Sequence, residues 1–425
     1  MLTLKTIRDE KEKVISRLKI KNFNAEDIVE DIIRLDDQRK ELQFAKDNLQ
    51  NKLNEISKEI GKLFSQGLKQ EAENAKGQTT EVKEKIKTIE TDLSATEKQL
   101  NELIVQLPNL PHESVPPGKG ENDNVIVKEG GKIPELSIKK PHWDLIKEYN
   151  IIDFELGIKI TGAGFPVYIG KGAKLQRALI SFFLDEAEKS GYTEILPPLM
   201  VNEDSGFGTG QLPDKEGQMY HVTGDNFYLI PTAEVPVTNL YRDVVLTEKD
   251  FPIKNMAYSA CFRREAGSWG AHVRGLNRLH QFDKVEIVQI RKPEDSYNAL
   301  EEMKNHVEQI LIKLNLPYRI LKLCGGDISF TSALTFDFEV FSAAQERWLE
   351  VSSVSNFEDF QTNRLKLRYK TDNDKKTRLA HSLNGSALAL PRIMAAIMEN
   401  NQTPDGILIP EILREYTKFD IISKQ

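Results

Sequence analysis

The sequence predicts an α+β protein in two parts, an N-terminal antiparallel helical coiled-coil arm and a body of antiparallel strands and helices. A charged, proline-free stretch from Asp31 to about Leu107 carries apolar residues at heptad-like spacing, which predicts the arm. Farther along, two strand-like segments flank a polar, glycine-rich loop, which is typical of an antiparallel hairpin. With 425 residues, the chain is long enough to bury a large core and to form at least two domains.

The predicted arm rests on two apolar seams. The first consists of Leu35, Leu42, Ala45, Leu49, Leu53, Ile56, Ile60 and Leu63, and the second of Val82, Ile86, Ile89, Leu93, Thr96, Leu100, Leu103 and Leu107. Ser65 and the glycines at positions 61, 67 and 77 fall between them, where a chain reversal is expected. Two helices of about thirty residues each would pair antiparallel, and at about 1.5 Å per residue the hairpin would be roughly 45 to 60 Å tall.

Charge is unevenly distributed along the arm. Residues 58–87 carry seven lysines against five acids, whereas the rest of residues 26–107 carries six bases against thirteen acids. A phosphate backbone would be attracted to the distal half and repelled by the base. Charge alone favours an ordinary solvated coiled coil over an arm that binds phosphate.

A proline-rich segment, residues 108–119, separates the arm from the body. We therefore place an N-terminal domain at residues 1–110, with the arm at about 27–107, and a second domain at residues 111–425.

Cysteine and apolar content indicate the compartment. The two cysteines, Cys261 and Cys324, cannot form a disulfide framework, and no secretory signal or membrane-spanning apolar run is visible. We therefore expect a cytoplasmic protein without membrane contact. Clustered cysteine and histidine residues at short spacing are absent from the sequence, so no zinc site is expected.

The body contains a hairpin with unusual polar content. Its strands are predicted at residues 255–262 and 281–288, and a side-chain period of two would put Arg263 and Glu265 on one face. Arginine offers a planar fork of donors for phosphate or carboxylate, and glutamate accepts from an amino group. The block therefore predicts a site for a polyphosphate and a base, although each residue alone could belong to a surface ion pair.

The hairpin block resembles motif 2 of class II aminoacyl-tRNA synthetases, in the form found in seryl-tRNA synthetases: FRxE followed by RGLxRxHQFxKVE. Residues 191–200, GYTEILPPLM, are similar to the dimer-forming motif 1, and residues 384–392, NGSALALPR, are similar to motif 3. Residues 231–236, PTAEVP, resemble the TxE loop, and residues 350–356, EVSSVSN, resemble the seryl EISSxSN strand.

That resemblance implies an antiparallel sheet flanked by helices and a homodimer. It also implies an ATP-dependent, AMP-forming ligase that activates L-serine to seryl-adenylate and transfers it to the 3'-terminal ribose of tRNA(Ser), and of tRNA(Sec). The N-terminal domain would bind tRNA, with the arm gripping its long variable arm, and residues 111–425 would be the catalytic domain. ATP and Mg²⁺ are the implied substrate and cofactor.

The resemblance also assigns residues. The implied ATP site comprises Arg263, Arg264, Glu265, Arg278, Phe282, Glu350, Val351, Ser352, Ser353 and Arg392. The implied serine site comprises Thr232, Ala233, Glu234, Arg263, Glu286, Asn384 and Ser386. Arg263, Glu286 and Arg392 would be catalytic, and Glu350 and Ser353 would bind Mg²⁺ through oxygen.

Two alternatives stay open on the sequence. One is a threonyl- or prolyl-type class II synthetase, because both share the TxE loop. The other is a non-catalytic, synthetase-like RNA-binding paralogue, whose signature would be loss of residues such as Arg263, Glu286 or Arg392. The chain departs from the family wording in residues 334–341, at Val354 and at Ala387, none of which has an implied catalytic role.

Overall fold

The computed structural model describes residues 1–214, 217–265, 274–371 and 376–424. The chain forms two compact units, one of residues 1–19 and 23–108 and the other of residues 20–22 and 109–425. Among the described residues, no helix is both long enough and apolar enough to cross a bilayer.

The first unit is helical. Its helices are α1 (Leu4–Asp9), α2 (Lys11–Ile20), α3 (Glu26–Ser65) and α4 (Lys69–Ile104). The predicted antiparallel pair is confirmed, but α3 and α4 are longer than predicted, at 40 and 36 residues. Gly61 and Gly77 lie within these helices, because one glycine costs only about 1 kcal/mol in a helix and does not end it. The chain reverses at Gly67, whose φ of +77° favours glycine.

The seam between α3 and α4 matches the heptad pattern and extends beyond it. Ile56, Val82 and Ile86 are buried as predicted, and Ala72 and Ala75 continue the seam toward the turn. Across the pair, Lys46 Nζ lies 2.9 Å from Glu90 Oε1. This contact fixes the register, since it places residues whose numbers sum to about 136 opposite one another.

The second unit contains the remaining helices and all strands of the described residues. The helices are α5 (His142–Glu148), α6 (Phe154–Ile160), α7 (Lys171–Lys189), α8 (Glu203–Thr209), α9 (Glu234–Asn239), α10 (Ser296–Lys313), α11 (Phe360–Leu365), α12 (Leu390–Asn400) and α13 (Glu411–Thr417). The short strands outside the main sheet are β2 (Ile152–Asp153), β3 (Val167–Tyr168), β5 (Met200–Val201), β6 (His221–Val222), β7 (Phe227–Leu229), β8 (Val245–Thr247), β14 (Arg368–Lys370), β15 (Arg378–Leu379), β17 (Gln402–Thr403), β18 (Gly406–Leu408) and β19 (Ile421–Ile422).

An eight-stranded sheet forms the centre of this unit, in the order β1-β11-β12-β13-β16-β10-β9-β4. Its strands are β1 (Val125–Gly130), β4 (Thr193–Glu194), β9 (Ile253–Phe262), β10 (Gln281–Arg291), β11 (Tyr318–Lys322), β12 (Leu334–Ser342), β13 (Arg347–Glu358) and β16 (His381–Ala389). Only β4, beside β9, pairs in parallel. The predicted antiparallel sheet with flanking helices is confirmed.

The predicted hairpin is formed by β9 and β10, with Phe262 opposite Gln281 and Ala257 opposite Glu286. One detail of the sequence prediction is wrong. The strand ends at Phe262, and Glu265 adopts a φ of +47°, so the period of a strand does not reach Arg263 and Glu265. The central part of the predicted loop, residues 266–273, lies outside the described residues.

The two faces of the sheet have different environments. On one face, Val285 and Ile287 of β10 join the hydrophobic core with Leu175, Phe182 and Phe183 of α7. The intervening residues of β10 point to the opposite face, because successive side chains of a strand alternate. The candidate active site lies on that face.

Candidate active site

A cavity of about 500 Å³ lies over β9, β10, β13 and β16. The predicted site residues that line it are Thr232, Glu234, Arg263, Glu265, Arg278, Phe282, Glu286, Glu350, Val351, Ser352, Ser353, Asn384, Ser386 and Arg392. Residues up to 160 positions apart in sequence, such as Thr232 and Arg392, thus meet in one place because β9, β10, β13 and β16 are neighbours in the sheet.

Two predicted residues do not line the cavity, which corrects the sequence prediction. The Arg264 side chain is exposed, and its backbone N–H donates to Gln218 O at 2.8 Å. Ala233 is fully buried and packs in a small apolar cluster with Val237 and Val288. Both residues were assigned from motif wording, which does not distinguish side chains that face a ligand from their neighbours.

Lys284 lines the cavity and was missed by the sequence prediction. It lies between Phe282 and Glu286 on β10, and all three side chains face the cavity. Its ammonium forms an ion pair with Glu286 Oε2, and both residues are buried, at 6% and 1% exposure. The period-two alternation of a strand could have identified Lys284, because it has the same parity as its two assigned neighbours.

The Glu286 carboxylate has one occupied oxygen and one available oxygen. Thr232 Oγ1 donates to Oε2 at 2.8 Å, and Lys284 contacts that same oxygen. No described residue donates a hydrogen bond to Oε1. Ser386 lies directly opposite Glu286 on β16. Glu286 is therefore held from one side and can accept a donor from a ligand on the other.

Glu234 is a second buried carboxyl in the cavity. Gln361 Nε2 of α11 donates to its Oε1 at 2.6 Å, and Ser382 Oγ in turn donates to Gln361 Oε1 at 2.7 Å. Burial, together with the nearby negative charge of Glu286, raises the pKa of Glu234 to about 7. Its charge therefore changes within the physiological pH range.

At the other end of the cavity, arginine side chains meet an aromatic ring and a carboxylate. The Arg263 guanidinium lies 5.3 Å from the centre of the Phe282 ring, and its Nε donates to Pro231 O at 3.4 Å. Arg278 Nη1 lies 2.8 Å from Glu265 Oε2. The groups predicted to bind a triphosphate and a base are thus adjacent in the structure.

A β-bulge explains how Glu350 and Ser353 act on the same side of β13. Residues three apart in a regular strand point to opposite faces. Here Phe338 pairs with Ser352 and Glu339 pairs with Glu350, so Val351 is the extra residue of a bulge. The bulge brings the Glu350 carboxylate and the Ser353 hydroxyl to the cavity face.

Asp337 lies opposite Ser353 on β12 and accepts a hydrogen bond from its hydroxyl. Burial and then the negative charge of Glu350 raise the pKa of Asp337 well above its usual range. Its Oδ1 is buried without a hydrogen-bond partner. Oxygen donors that converge at one point fit a hard divalent cation such as Mg²⁺.

Arg392 is held at the start of α12, where Pro391 occupies the first turn. Its Nε donates to Asn277 O at 3.2 Å, and its Nη1 donates to Glu350 O at 2.6 Å and lies 3.4 Å from Glu350 Oε2. This arginine therefore connects the motif 3 helix, the carboxylate on β13 and the end of the hairpin loop.

The antiparallel sheet, the motif 2 hairpin and the motif 3 strand and helix around one cavity define a class II aminoacyl-tRNA synthetase. The family profile "tRNA synthetase class II core domain (G, H, P, S and T)" matches residues 220–401. The profile "Seryl-tRNA synthetase N-terminal domain" matches residues 1–111.

Similar proteins cover the whole chain. A serine--tRNA ligase of Salinibacter ruber is 49% identical over 99% of this chain and 98% of its own length. One of Carboxydothermus hydrogenoformans is 44% identical over 100% of both. The solved seryl-tRNA synthetase of Pyrococcus horikoshii, complexed with ATP, is 32% identical, covers 100% of both chains and has a TM-score of 0.92. The chain belongs to the seryl-tRNA synthetase family. The threonyl and prolyl alternatives are not favoured.

Proposed function

We propose that this enzyme activates L-serine with ATP in the cavity over β9, β10, β13 and β16 and transfers the seryl group to tRNA. The observation that supports this most directly is the position of Glu286. It is a buried acceptor in the same cavity as Arg263 and Arg392, so an amino acid and a triphosphate can be bound side by side. Catalysis would consist of positioning and charge neutralisation, since neither step needs a covalent enzyme intermediate.

In this proposal, the arginines manage the negative charge. Arg263 would contact both the α-phosphate and the serine carboxylate and would stabilise charge as phosphorus becomes pentavalent. Arg278 and Arg392 would hold the γ-phosphate, and Glu265 would accept from the adenine amino group. Phe282 would stack on adenine. ATP would displace the contact between Arg278 and Glu265, whose side chains lie 2.8 Å apart.

Serine would be bound at the end of the cavity that contains the carboxyl groups of Glu286 and Glu234. Glu286 Oε1 would accept from the substrate hydroxyl, with Thr232, Asn384 and Ser386 around it. Glu234 would accept from the α-ammonium. A buried acceptor left without its donor costs about 1–3 kcal/mol, so alanine would bind poorly.

Glu350 and Ser353 would hold Mg²⁺, which fits the oxygen donors that the β13 bulge brings to one face. When bound there, the ion would neutralise part of the triphosphate charge. No zinc takes part in the proposed reaction. Arg392, which already contacts Glu350, would keep that carboxylate oriented.

We assign residues 1–110 to tRNA binding and residues 111–425 to catalysis. The partner would be tRNA(Ser), and tRNA(Sec) as well, gripped by the α3–α4 arm. Replacing residues 40–98 with a short Gly-Ser linker would join positions that the Lys46–Glu90 contact places near each other. We expect this deletion to spare pyrophosphate exchange and abolish charging of tRNA. Equal loss of both activities would contradict the assignment.

We further propose a cytoplasmic homodimer without membrane contact. Motif 1 exposes apolar side chains that a second copy of the chain could cover: Leu196 is 84% exposed and Met200 is 50% exposed. Light scattering of the purified protein should give twice the monomer mass of 48.4 kDa. A monomer mass at micromolar concentration would exclude the dimer.

The central experiment is ATP–pyrophosphate exchange with serine, threonine or proline as substrate. We expect exchange with serine that requires Mg²⁺ and ATP. Arg263→Gln should abolish it, while Arg264→Gln, which changes the adjacent exposed arginine, should retain it. Absence of exchange would contradict the proposed activity, and a preference for threonine or proline would contradict the proposed substrate.

A further inference from the structure

A buried histidine and glutamate outside the cavity contact the turn that carries Arg278. His142 begins α5 and Glu399 lies near the end of α12, and both side chains are fully buried. Glu399 Oε1 accepts from His142 Nδ1 at 2.7 Å and from the His142 backbone N–H at 2.7 Å. The remaining ring nitrogen, Nε2, lies 2.8 Å from the backbone nitrogen of Leu276.

The last contact fixes the tautomer of His142. The Leu276 N–H is a donor, so Nε2 must be the acceptor, and the ring proton must lie on Nδ1 and point to Glu399. The carboxylate is held in turn by Ser342 Oγ and Gln345 Nε2. Burial opposes ionisation of Glu399, but hydrogen bonds from His142 and Ser342 outweigh it and lower the pKa of this carboxyl. Glu399 and His142 thus form a chain of hydrogen bonds that ends at the backbone N–H of Leu276.

The turn, residues 275–277, is shaped to receive this histidine. Gly275 has a φ of +67°, and a Cβ at this position would lie 2.3 Å from His142 Nε2. The residue after the histidine makes a second contact, because the guanidinium of Arg274 lies 5.0 Å from the ring of Trp143. The first two residues of α5 therefore contact the chain at Arg274, just before the turn, and at Leu276 within it.

Helix α12 holds the same turn directly. Arg392 Nε donates to Asn277 O at 3.2 Å. Arg392 and Glu399 are seven residues apart, which is about two helical turns, so they lie on the same side of α12. One helix face thus fixes residue 277 through Arg392 and residue 276 through Glu399 and His142. Arg278 follows immediately.

We propose that His142 and Glu399 are positioning residues for ATP, which fix the backbone at Leu276 so that Arg278 and Arg392 face the same phosphate. Neither residue lines the cavity or touches a substrate. This inference rests on the proposed ATP site. It predicts that breaking the contact between His142 and Leu276 weakens ATP binding and leaves serine binding almost unchanged, because Glu286 and Thr232 are held by separate contacts.

Matched substitutions separate the two hydrogen bonds of the ring. Glutamine places its terminal amide near the position of Nε2 and can still accept from Leu276, whereas asparagine resembles the Nδ1 side and can still donate to Glu399. In pyrophosphate exchange, His142→Asn should raise KM for ATP about tenfold and change KM for serine less than about twofold. His142→Gln should keep KM for ATP close to that of the unchanged enzyme.

Ser342→Ala is the stability control, because it removes one buried hydrogen bond to Glu399 on the side away from the turn. Tm should fall, and KM for ATP should not change. If Ser342→Ala and His142→Asn raise KM for ATP alike, or if neither raises it, the positioning role is refuted. Should His142→Asn fail to fold, Glu399→Gln replaces it with the same expected split, and an unchanged KM for ATP again refutes the role. An inactive unchanged enzyme would instead contradict the proposed function.

Discussion

Lys284 and Glu286 form a buried ion pair on the cavity side of β10, in which the lysine contacts the same carboxylate oxygen that accepts from Thr232. Removing one partner of a buried ion pair leaves an uncompensated charge in a poorly solvated place. The pair therefore fixes the orientation in which the Glu286 carboxylate meets the substrate. Lys284 and Thr232 hold Oε2 of the carboxylate, so that Oε1 remains available.

We expect Lys284→Met to lower kcat/KM for serine by roughly 100-fold, about 2.7 kcal/mol of activation free energy, because Glu286 loses the contact that holds Oε2 and leaves Oε1 to the substrate. Lys284→Arg retains the charge and should recover much of the loss. Steady-state pyrophosphate exchange measures both variants, and thermal unfolding monitors the fold. A methionine variant with an unchanged kcat/KM for serine would show that Glu286 needs no counter-charge.

Glu234 predicts how serine binding depends on pH. Burial and then the charge of Glu286 raise its pKa to about 7, so it gains a proton as the pH falls below that value. A neutral Glu234 accepts less strongly from the serine ammonium, so KM for serine should rise as the pH falls from about 8 to about 6. Glu234→Gln imitates the protonated form and should have a high KM with little pH dependence. Parallel pH profiles for the two enzymes would refute this role.

The sequence and the structure agree where the pattern is local. Heptads predicted the α3–α4 pair, and the apolar flanks predicted the β9–β10 hairpin. The resemblance to the family's motifs predicted most of the residues that line the cavity. These include Glu350 and Ser353, although regular strand alternation would place the two on opposite faces. Only the pairing of β13 with β12 reveals the bulge at Val351.

What the sequence could not predict depends on distant partners. Gln361 reaches Glu234 from a helix more than 120 residues away, and His142 reaches Leu276 over a similar separation. No local pattern in the sequence indicates such pairs. Lys284 differs from them, because strand alternation alone would have identified it, whereas the motif wording assigned only its neighbours.

We expect Ser353, which the bulge brings to the same face as Glu350, to contribute to metal binding, and Ser355, whose hydroxyl is hydrogen-bonded to Thr335, not to contribute. We expect Ser353→Ala to raise the Mg²⁺ concentration needed for half-maximal exchange by about tenfold, because the ion loses an oxygen ligand. Ser355→Ala should leave it unchanged. Mn²⁺ binding in the presence of ATP, followed by electron paramagnetic resonance, gives a readout independent of turnover. Equal effects of the two variants would argue against Ser353 as a ligand.

The positive charge in the distal half of the arm predicts where the tRNA backbone binds. Lys62 and Lys69 lie in the positive segment 58–87 near the turn, whereas Lys52 and Lys98 lie outside it, and all four side chains are exposed. We expect the double variant Lys62→Gln, Lys69→Gln to weaken tRNA binding and to reduce the slope of log K against log salt by up to about 2, since each lost phosphate contact removes about one unit.

The matched control is Lys52→Gln, Lys98→Gln, which removes the same charge from the arm outside that segment. It should leave the tRNA affinity and its salt slope close to those of the unchanged protein, and neither double variant should alter serine-dependent exchange. Filter binding of tRNA(Ser) between 50 and 200 mM salt measures both quantities. If the two double variants lose the same affinity, long-range charge rather than contact at the tip accounts for binding. A direct phosphate contact would be lost only in the variant that removes the contacting lysine.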